Sequence, residues 1–379
     1  MLRFLTAGES HGEALVGILE GFPKGVKIDR RFIDRELLRR QKGFGRGKRM
    51  NIERDRVVFL SGIRGGISLG SPIAFIVRNK DKKISLFGKD KLEPITVPRP
   101  AHADLAGALK YKEKDIRNIL ERASARETAL RVVVGALCKE FLKVFKIRII
   151  SFVVGVGSVF FSQERFYSYE EIERRLKKSL IGCIDRKIER LMVEEIKKAK
   201  ESHDTLGGII KIIAFGVPPG LGSFMHWDRR LDARLAFSLM SIPAVRGVEI
   251  GLGFKYATLS GRSSHDSIYY SPQKGFYHKT NNSGGIEGGM SNGEPIVLRI
   301  AMKPIATLGE PSLDSVDLLT KKNKKAPIIR SDVTAIYACS VIAESMVAYI
   351  ILSSFLEKFS SDNIEDIKKN YYSYIKDLP

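Results

Sequence analysis

The arrangement of apolar and polar positions along the chain predicts its strands and helices. Short β-rich apolar runs at 57–60, 72–77 and 209–215 are bounded by glycine or proline, as strands usually are. Between such runs, apolar residues recur at helical spacing, for example behind Asp29, which can cap a helix. Because strands and helices interleave without regular β-α-β units, the pattern predicts an α+β fold rather than a doubly wound sheet.

Two longer segments are apolar on almost every side, which is typical of helices buried in a core. The segment 129–145 follows Ser124 and Glu127, whose spacing matches a capping box. The segment 335–356 is long enough to cross a membrane, but it carries Glu344 at its middle, where a charge is costly. We therefore predict two buried helices and no membrane association.

The chain has 379 residues without a Pro/Ser-rich linker or a visible internal repeat, so we predict a single domain over residues 1–379. Its first residues contain no long apolar segment of the kind found in secretory signals. Its three cysteines, Cys138, Cys183 and Cys339, are too few and too scattered for a disulfide framework or a C-x-x-C zinc site. We expect a cytoplasmic protein without a structural metal.

The charge of the chain points to an anionic ligand or partner. Lysine and arginine number 64 against 43 aspartates and glutamates, a formal net charge of +21. The basic stretch 39–49 contains arginine and lysine alternating with glycine. Arginine suits phosphate and carboxylate oxygens, but the same composition is typical of nucleic-acid-binding segments and of solvated loops. Composition alone does not decide among these three interpretations.

Two short motifs place a histidine where the backbone is constrained. His11 lies in GESHG, between Gly8 and Gly12, and His102 follows Pro100, which makes its segment rigid. Imidazole is the side chain that most readily exchanges protons near neutral pH, so either residue could act as an acid or a base. On spacing alone, a hydrogen-bonded histidine in a polar turn is the simpler interpretation of the first motif.

Three further segments could contact an anion or a flat ligand. Ser124 can cap a helix beside Arg122, and helix N-termini bind phosphate, although an ordinary cap would look the same. Segment 284–293 has five glycines, which allow either a close approach of a ligand to the backbone or a turn between strands. Arg330 and Asp332 are typical of a structural ion pair. The sequence contains no Walker loop or strand–GxGxxG–helix motif.

Taken together, these motifs resemble the chorismate synthase family. The similar strings, in chain order, are GESHG, RRQKGFGRGKRM, SGIRGGISLGSPIAF, RPAHAD, ERASARETALRVVVGA, LMSIPAVRGVEIGLGF, GGIEGGMSNGEPI, MKPIATL and RSD, and they cover almost the whole chain. Two positions differ from the usual family pattern, which has glycine where Ala101 stands and serine where Ala123 stands. The second change removes one hydroxyl and leaves Ser124 in place.

The resemblance implies a fold, an activity and a cofactor. The implied fold is a β-α-β sandwich, with helices between two antiparallel sheets, assembled as a homotetramer. The implied activity is the 1,4-anti elimination of phosphate from 5-enolpyruvylshikimate 3-phosphate, which gives chorismate. It requires reduced FMN, which is reduced by NADPH or by an external reductase. The basic residues would then offset the charges of the phosphorylated substrate and of the flavin phosphate, and no nucleic acid would be bound.

A nucleic-acid-binding protein that uses segment 39–49 is the alternative function. It would explain the net charge of +21 but not segment 284–293 or the two histidine motifs, and the chain has no RNP-type aromatic string. Steeply salt-dependent binding of nucleic acid without binding of flavin would favour this alternative.

The resemblance also implies roles for individual residues. Those in catalysis would be Ser10, His11, His102 and Asp332. Those in contact with FMN would be Arg122, Ala123, Ser124, Pro243, Ala244, Gly288, Lys303, Pro304, Ile305, Ala306, Thr307 and Arg330. Those that bind the substrate or the nicotinamide would be Arg40, Arg46, Arg49 and Arg131. Because basic residues are in excess, we also expect both histidines to lie among lysine and arginine side chains.

Overall fold

The computed structural model describes residues 1–47, 53–87, 92–161, 165–310, 313–328 and 332–378. The strands of this part are β1 (Arg3–Ala7), β2 (Ala14–Glu20), β3 (Val57–Phe59), β4 (Ile63–Arg64), β5 (Ile67–Ser68), β6 (Ile73–Arg78), β7 (Arg148–Val156), β8 (Val159–Phe160), β9 (Gly208–Phe215), β10 (Val245–Ile250), β11 (Ile268–Ser271), β12 (Gly275–His278), β13 (Ile286–Glu287), β14 (Met290–Ser291), β15 (Ile296–Met302), β16 (Asp314–Val316) and β17 (Asn323–Lys325). Its α-helices are α1 (Arg30–Gln41), α2 (Asp104–Tyr111), α3 (Arg117–Ala123), α4 (Thr128–Val144), α5 (Tyr169–Leu176), α6 (Arg186–Glu201), α7 (Leu231–Met240), α8 (Gly261–Ser264), α9 (Ile336–Lys358) and α10 (Ile364–Lys376).

Nine of these strands form two sheets. One sheet has four strands in the order β1-β2-β6-β3, and the other has five in the order β10-β15-β9-β7-β8. Every pairing within the two sheets is antiparallel. The runs predicted at 57–60, 72–77 and 209–215 correspond to β3, β6 and β9. The predicted strands and the α+β class are therefore confirmed.

The two predicted apolar helices are confirmed as α4 and α9. Helix α4 packs on α9, on β2 and β6 of the first sheet and on β7 of the second, while α9 packs on β7 and β9. Among the described residues, α9 is the one helix long and apolar enough to cross a membrane, and 89% of its apolar window is buried inside the protein. One continuous hydrophobic core therefore includes side chains of both sheets and of these two helices.

The axes of α4 and α9 come very close to each other at Gly135. A Cβ atom added there would lie 2.2 Å from the Cβ of Ser345 on α9, so a larger residue must push the helices apart. Gly135→Ala should lower the free energy of unfolding by about 1–3 kcal/mol, as overpacking does, although alanine is the better helix former. Urea unfolding measures the change. An unaltered transition would mean that the two helices separate freely.

Candidate active site

The turn that joins β1 to β2 carries Ser10 and His11. Gly8 has a φ of 103°, and a Cβ there would lie 2.4 Å from a backbone carbonyl oxygen of β2, so the turn requires glycine. Ser10 is buried, its backbone N–H donates to the carbonyl of Glu121 at 3.1 Å, and its hydroxyl accepts from that of Ser124 at 3.1 Å. Two predicted motifs that lie 114 residues apart in sequence are therefore in contact.

The charged groups that contact His11 are carboxylates. Its Nδ1 lies 2.7 Å from Oε1 of Glu121, and its backbone N–H donates to Oε2 of the same residue at 2.8 Å. Its Nε2 is 3.6 Å from Oδ2 of Asp81. The expectation that His11 lies among basic side chains is therefore wrong. The net charge of a chain does not determine the neighbours of one imidazole, because these are set by the local fold.

Arg122, Ala123 and Ser124 lie at the end of α3, next to this turn. The exposed Arg122 donates to the backbone oxygen of Thr6 at 2.8 Å, and Ala123 is half-buried. Ser124 caps a short 3-10 turn by accepting from a backbone N–H of that turn at 3.3 Å, so the predicted cap is confirmed. The predicted capping box is not formed as expected, because the carboxylate of Glu127 accepts from the hydroxyl of Thr6 at 3.0 Å.

Arg131 connects this group of residues to the loop that follows α7. Its Nε donates to Glu127 at 3.1 Å, and its Nη1 donates to the hydroxyl of Ser241 at 2.8 Å. Pro243 and Ala244 follow Ser241 directly in the chain. A predicted substrate-binding arginine and a predicted FMN-binding loop are thus neighbours.

Ala244 contacts the segment that begins at Lys303. Ala244 has a left-handed φ of 71°, and its carbonyl accepts from the N–H of Lys303 at 2.9 Å. The ammonium of Lys303 donates to the carbonyl of Ala101, and its pKa is lowered by burial and then by the charge of Arg246. Ala101 also has a left-handed φ, 58°, which glycine adopts more easily. This conformation explains the glycine that the family pattern has at this position.

The four residues after Lys303 extend away from β15. Pro304 is exposed, Ala306 is half-buried and Thr307 is buried. The carbonyl of Ile305 accepts from the hydroxyl of Thr205 at 2.8 Å, which fixes the path of the segment.

His102 lies between a carboxylate and a guanidinium. Its Nδ1 is 2.5 Å from Oδ1 of Asp104, and Arg99 donates from Nε to Oδ2 of the same carboxylate at 2.7 Å. Burial alone would raise the pKa of Asp104, but hydrogen bonds from His102 and Arg99 and the charge of Arg99 lower it well below its usual range. Nη2 of Arg99 is 3.0 Å from His102 Nδ1, so one basic neighbour of His102 is present as expected.

Gly288 lies in a tight turn between two short strands. It and Gly289 have φ of 57° and 83°, as in a type I′ hairpin turn, so the interpretation of segment 284–293 as a turn between strands is confirmed. A Cβ at Gly288 would meet no atom within 4 Å, so the backbone is open there. Leu231, the first residue of α7, donates to the carbonyl of Gly289 at 2.8 Å. The structure therefore does not bring Gly288 beside Pro243, because the 10-residue helix α7, about 15 Å long, lies between them.

Arg40 is buried in an ion pair. Its Nη2 donates to Oδ2 of Asp55 at 2.8 Å, and Arg126 donates to the same carboxylate at 2.6 Å. Burial lowers the pKa of Arg40, although the charge of Asp55 opposes this effect. Asn79 receives a hydrogen bond from Arg126 at 2.9 Å and donates to the carbonyl of Gly12 at 2.9 Å. The ion pair is thus connected to the turn that carries His11.

Arg46 pairs with Asp332. Its Nη1 is 3.1 Å from Oδ2 of Asp332, and the N–H of Gly47 donates to Oδ1 at 2.5 Å. The Arg46 side chain is only 11% exposed. Two other predicted residues, Arg49 and Arg330, lie outside the described residues.

Sequence reasoning missed Glu121, Asp81, Asp55 and Arg126 as members of this network. Glu121 and Arg126 stood within a recognised motif, but no spacing rule pairs either of them with its partner. Nothing in the sequence marked the two aspartates. In the part of the chain that the structure describes, no group of three or more His, Cys, Asp or Glu side chains could hold a metal ion.

Comparisons with known proteins all lead to one family. A family model described as chorismate synthase matches residues 2–356. Chorismate synthase of Alkaliphilus metalliredigens is 51% identical over 384 residues and covers 99% of both chains. That of Carboxydothermus hydrogenoformans is 49% identical and covers 100% of this chain and 99% of its own. A crystal structure of chorismate synthase has a TM-score of 0.81 and 40% identity, and the match covers 100% of this chain and 98% of the other.

Proposed function

The chain belongs to the chorismate synthase family, and from this premise we propose how its residues bind substrate and cofactor. The family's enzymes are carbon–oxygen lyases of the shikimate pathway to aromatic amino acids. Their activity is the 1,4-anti elimination of phosphate from 5-enolpyruvylshikimate 3-phosphate to give chorismate.

The proposed site lies where the turn between β1 and β2 meets the end of α3. The observation that carries the proposal is the pair of contacts that joins Ser10 to Ser124 and His11 to Glu121, across more than 100 residues of chain. Arg122 lies at the same place. A polar turn, an exposed cation and a proton-exchanging group are thus assembled next to one another, as acid–base chemistry on an anionic substrate requires.

Reduced FMN is the proposed cofactor, and the residues present fit it. Arg122 is exposed and Lys303 is half-exposed, so both can contact an anionic phosphate. Ser124 supplies a hydroxyl, and the backbone at Gly288 is open to a ligand. When bound, reduced FMN would supply the flavin chemistry that the elimination of phosphate requires, although that reaction has no net redox change. The further proposed contacts to it are Ala123, Pro243, Ala244, Pro304, Ile305, Ala306, Thr307 and Arg330.

The proposed cofactor site extends from one end of α7 to the other. Pro243 and Ala244 follow the C-terminal end of this helix, whereas Gly288 adjoins its N-terminal end. We propose that Gly288 contacts a different end of the cofactor from the one that Ala244 contacts.

Four residues are proposed to handle protons and orientation. His11 exchanges a proton at Nε2, the ring nitrogen turned away from Glu121, and Ser10 supports it through the hydroxyl contact with Ser124. His102, held by Asp104, donates toward the leaving phosphate. Asp332 is proposed to assist the removal of the hydrogen lost from the substrate ring, and Arg46 orients its carboxylate.

The basic residues are proposed to stabilise the charge that develops on the leaving phosphate. The proposed substrate-binding residues are Arg40, Arg46, Arg49 and Arg131. Arg40 is buried and already paired with Asp55, so we propose that it contributes its charge to the site from the interior of the protein.

Further features of the family are proposed for this chain as a whole. They are a β-α-β sandwich, a single domain over residues 1–379, a homotetramer, a cytoplasmic location and reduction of FMN by an external reductase rather than by NADPH on this chain. The packing of α4 on strands of both sheets supports the sandwich. Analytical ultracentrifugation tests the tetramer.

Anaerobic turnover tests the proposed function directly. The purified protein is mixed with dithionite-reduced FMN and 5-enolpyruvylshikimate 3-phosphate, and chorismate and phosphate should appear in equal amounts. Oxidised FMN without a reductant should give neither product. Failure of the reduced reaction, together with salt-dependent binding of nucleic acid, would favour the alternative function.

Arg46→Ala should weaken substrate binding by one charge-assisted contact, about 1.5–3 kcal/mol. The guanidinium lies beside Asp332 in a glycine-flanked loop and can also bond a substrate anion. The Michaelis constant for the substrate measures the loss, and Arg190→Ala, an exposed arginine on α6, is the matched control. If the Arg46 variant keeps both the parent Michaelis constant and the parent turnover, Arg46 does not bind the substrate.

A further inference from the structure

Glu121 contacts the turn of Ser10 and His11 at three points. Its carbonyl accepts from the N–H of Ser10 at 3.1 Å, its Oε2 accepts from the N–H of His11 at 2.8 Å, and its Oε1 lies 2.7 Å from His11 Nδ1. We propose that Glu121 is a positioning residue that keeps the imidazole proton on Nδ1 and leaves Nε2 for proton exchange with the ligands. This inference rests on the proposed function, in which His11 exchanges that proton.

The hydrogen-bonding capacity of a carboxylate determines this arrangement. An ionised carboxylate accepts hydrogen bonds and cannot donate them. Because the backbone N–H of His11 already occupies Oε2 of Glu121, the short contact at Oε1 requires Nδ1 to be the donor. A neutral imidazole then carries its lone pair on Nε2, and a charged one carries its exchangeable proton there.

The burial of the two side chains agrees with this division of roles. The Glu121 side chain is 4% exposed and the His11 side chain is 20% exposed. Nε2 is therefore on the more accessible side of the pair, and the charged group closest to it among the recorded contacts is Asp81, at 3.6 Å. Glu121 itself is too deeply buried to touch a ligand, so it acts through His11.

Glu121→Gln should reverse the tautomer of His11. Glutamine has the same shape but offers one acceptor oxygen and an NH₂ group that donates. The buried backbone N–H of His11 needs an acceptor, so the amide oxygen should bond to it. The NH₂ group then faces Nδ1 and donates to it, and the ring proton moves to Nε2. Nε2 then has no lone pair with which to accept a proton, and turnover should fall at least about tenfold.

The experiment combines nuclear magnetic resonance with kinetics. Long-range ¹H–¹⁵N spectra of the full-length protein labelled with ¹⁵N-histidine identify the protonated ring nitrogen, and the His11 signals are assigned by their loss in His11→Ala. We expect a protonated Nδ1 in the parent and a protonated Nε2 in Glu121→Gln. Turnover with pre-reduced FMN should fall in that variant while the Michaelis constant and FMN affinity stay near the parent values. Glu113→Gln, which removes a carboxylate that accepts a bond from exposed Asn118, is the control and should change neither readout.

Several results would overturn the proposal. A parent protein with the proton on Nε2 would do so even if the Glu121 variant failed to fold. An unchanged tautomer in folded Glu121→Gln would also do so. A reversed tautomer with parent turnover would show that the tautomer set by Glu121 does not affect the reaction. Parent turnover in His11→Ala would instead show that the proposed role of His11 is wrong, which separates the two failures.

Discussion

Replacing His11 by alanine should lower the rate of phosphate release by roughly 10²–10⁴, the usual contribution of a positioned acid or base. The substitution removes the imidazole whose Nε2 is proposed to exchange the proton, and Glu121, its partner at Nδ1, is too deeply buried to replace it. The turn itself should survive, because Ser10 is held independently by the carbonyl of Glu121 and by Ser124. The variant should therefore still bind FMN.

Single-turnover kinetics under anaerobic conditions measure this loss without interference from flavin reduction. The enzyme is pre-loaded with reduced FMN, and phosphate release is followed after addition of the substrate. His226→Ala is the matched control, because His226 is a surface histidine paired with Asp228 and its side chain is 61% exposed. His102→Ala, tested alongside, should fall in the same range if His102 protonates the leaving phosphate. Parent rates in both active-site variants would show that the two histidines are structural.

The sequence carried the local features of this site but not its long-range contacts. A histidine between two glycines indicated a constrained polar turn, and the turn is present because Gly8 has a φ that other residues avoid. Glu121, the partner of that histidine, is 110 residues away. Spacing rules apply within one helix or strand, so they cannot pair residues that meet only through the fold.

Basic composition was the least specific signal. The basic composition predicted that segment 39–49 faces a ligand or solvent. Instead, Arg40 is buried against Asp55, and Arg46 is paired with Asp332. An arginine that binds a substrate and one that pairs with a buried carboxylate have the same side chain and the same favourable geometry. Only the position of the acidic partner distinguishes them, and that position depends on tertiary structure.

The apolar segments predicted more of the fold than of the site. Helix α9 was predicted to be buried because Glu344 interrupts an otherwise membrane-like sequence, and that helix is buried. The sequence did not indicate which side chains pair with this buried carboxylate and stabilise it.

Those partners form a cluster of four charged side chains in the core. Glu344 accepts from Arg39 at 2.9 Å and from Lys139 at 2.5 Å, and it also accepts from the backbone and hydroxyl of Ser151, each at 2.9 Å. Glu36 pairs with the same two cations at 2.7 and 2.6 Å. Two negative and two positive charges therefore balance one another, and both carboxylates are buried, whereas the Arg39 side chain is 29% exposed. Removal of one of them leaves an uncompensated buried charge.

Glu344→Gln should lower the free energy of unfolding by about 3–5 kcal/mol, the usual effect of breaking a buried ion pair from one side. The double variant Lys139→Met/Glu344→Gln should recover part of that loss, because Arg39 and Glu36 then form a balanced pair. Urea unfolding of the parent, both single variants and the double variant gives the coupling free energy. Additive single effects would show that Lys139 and Glu344 do not act as a pair.

The pH dependence of stability gives a second test of the same cluster. Burial alone would raise the pKa of Glu344, but the charges of Arg39 and Lys139 lower it to about 2 from its ordinary 4.5. The unfolded chain therefore takes up this proton first as the pH falls, so the stabilisation is fully present above pH 4.5 and is lost progressively between 4.5 and about 2. Glu344→Gln has no carboxyl group to titrate there, so its unfolding free energy should fall less steeply over that interval than that of the parent. Parallel pH profiles would mean that Glu344 is not the carboxylate whose ionisation stabilises the core.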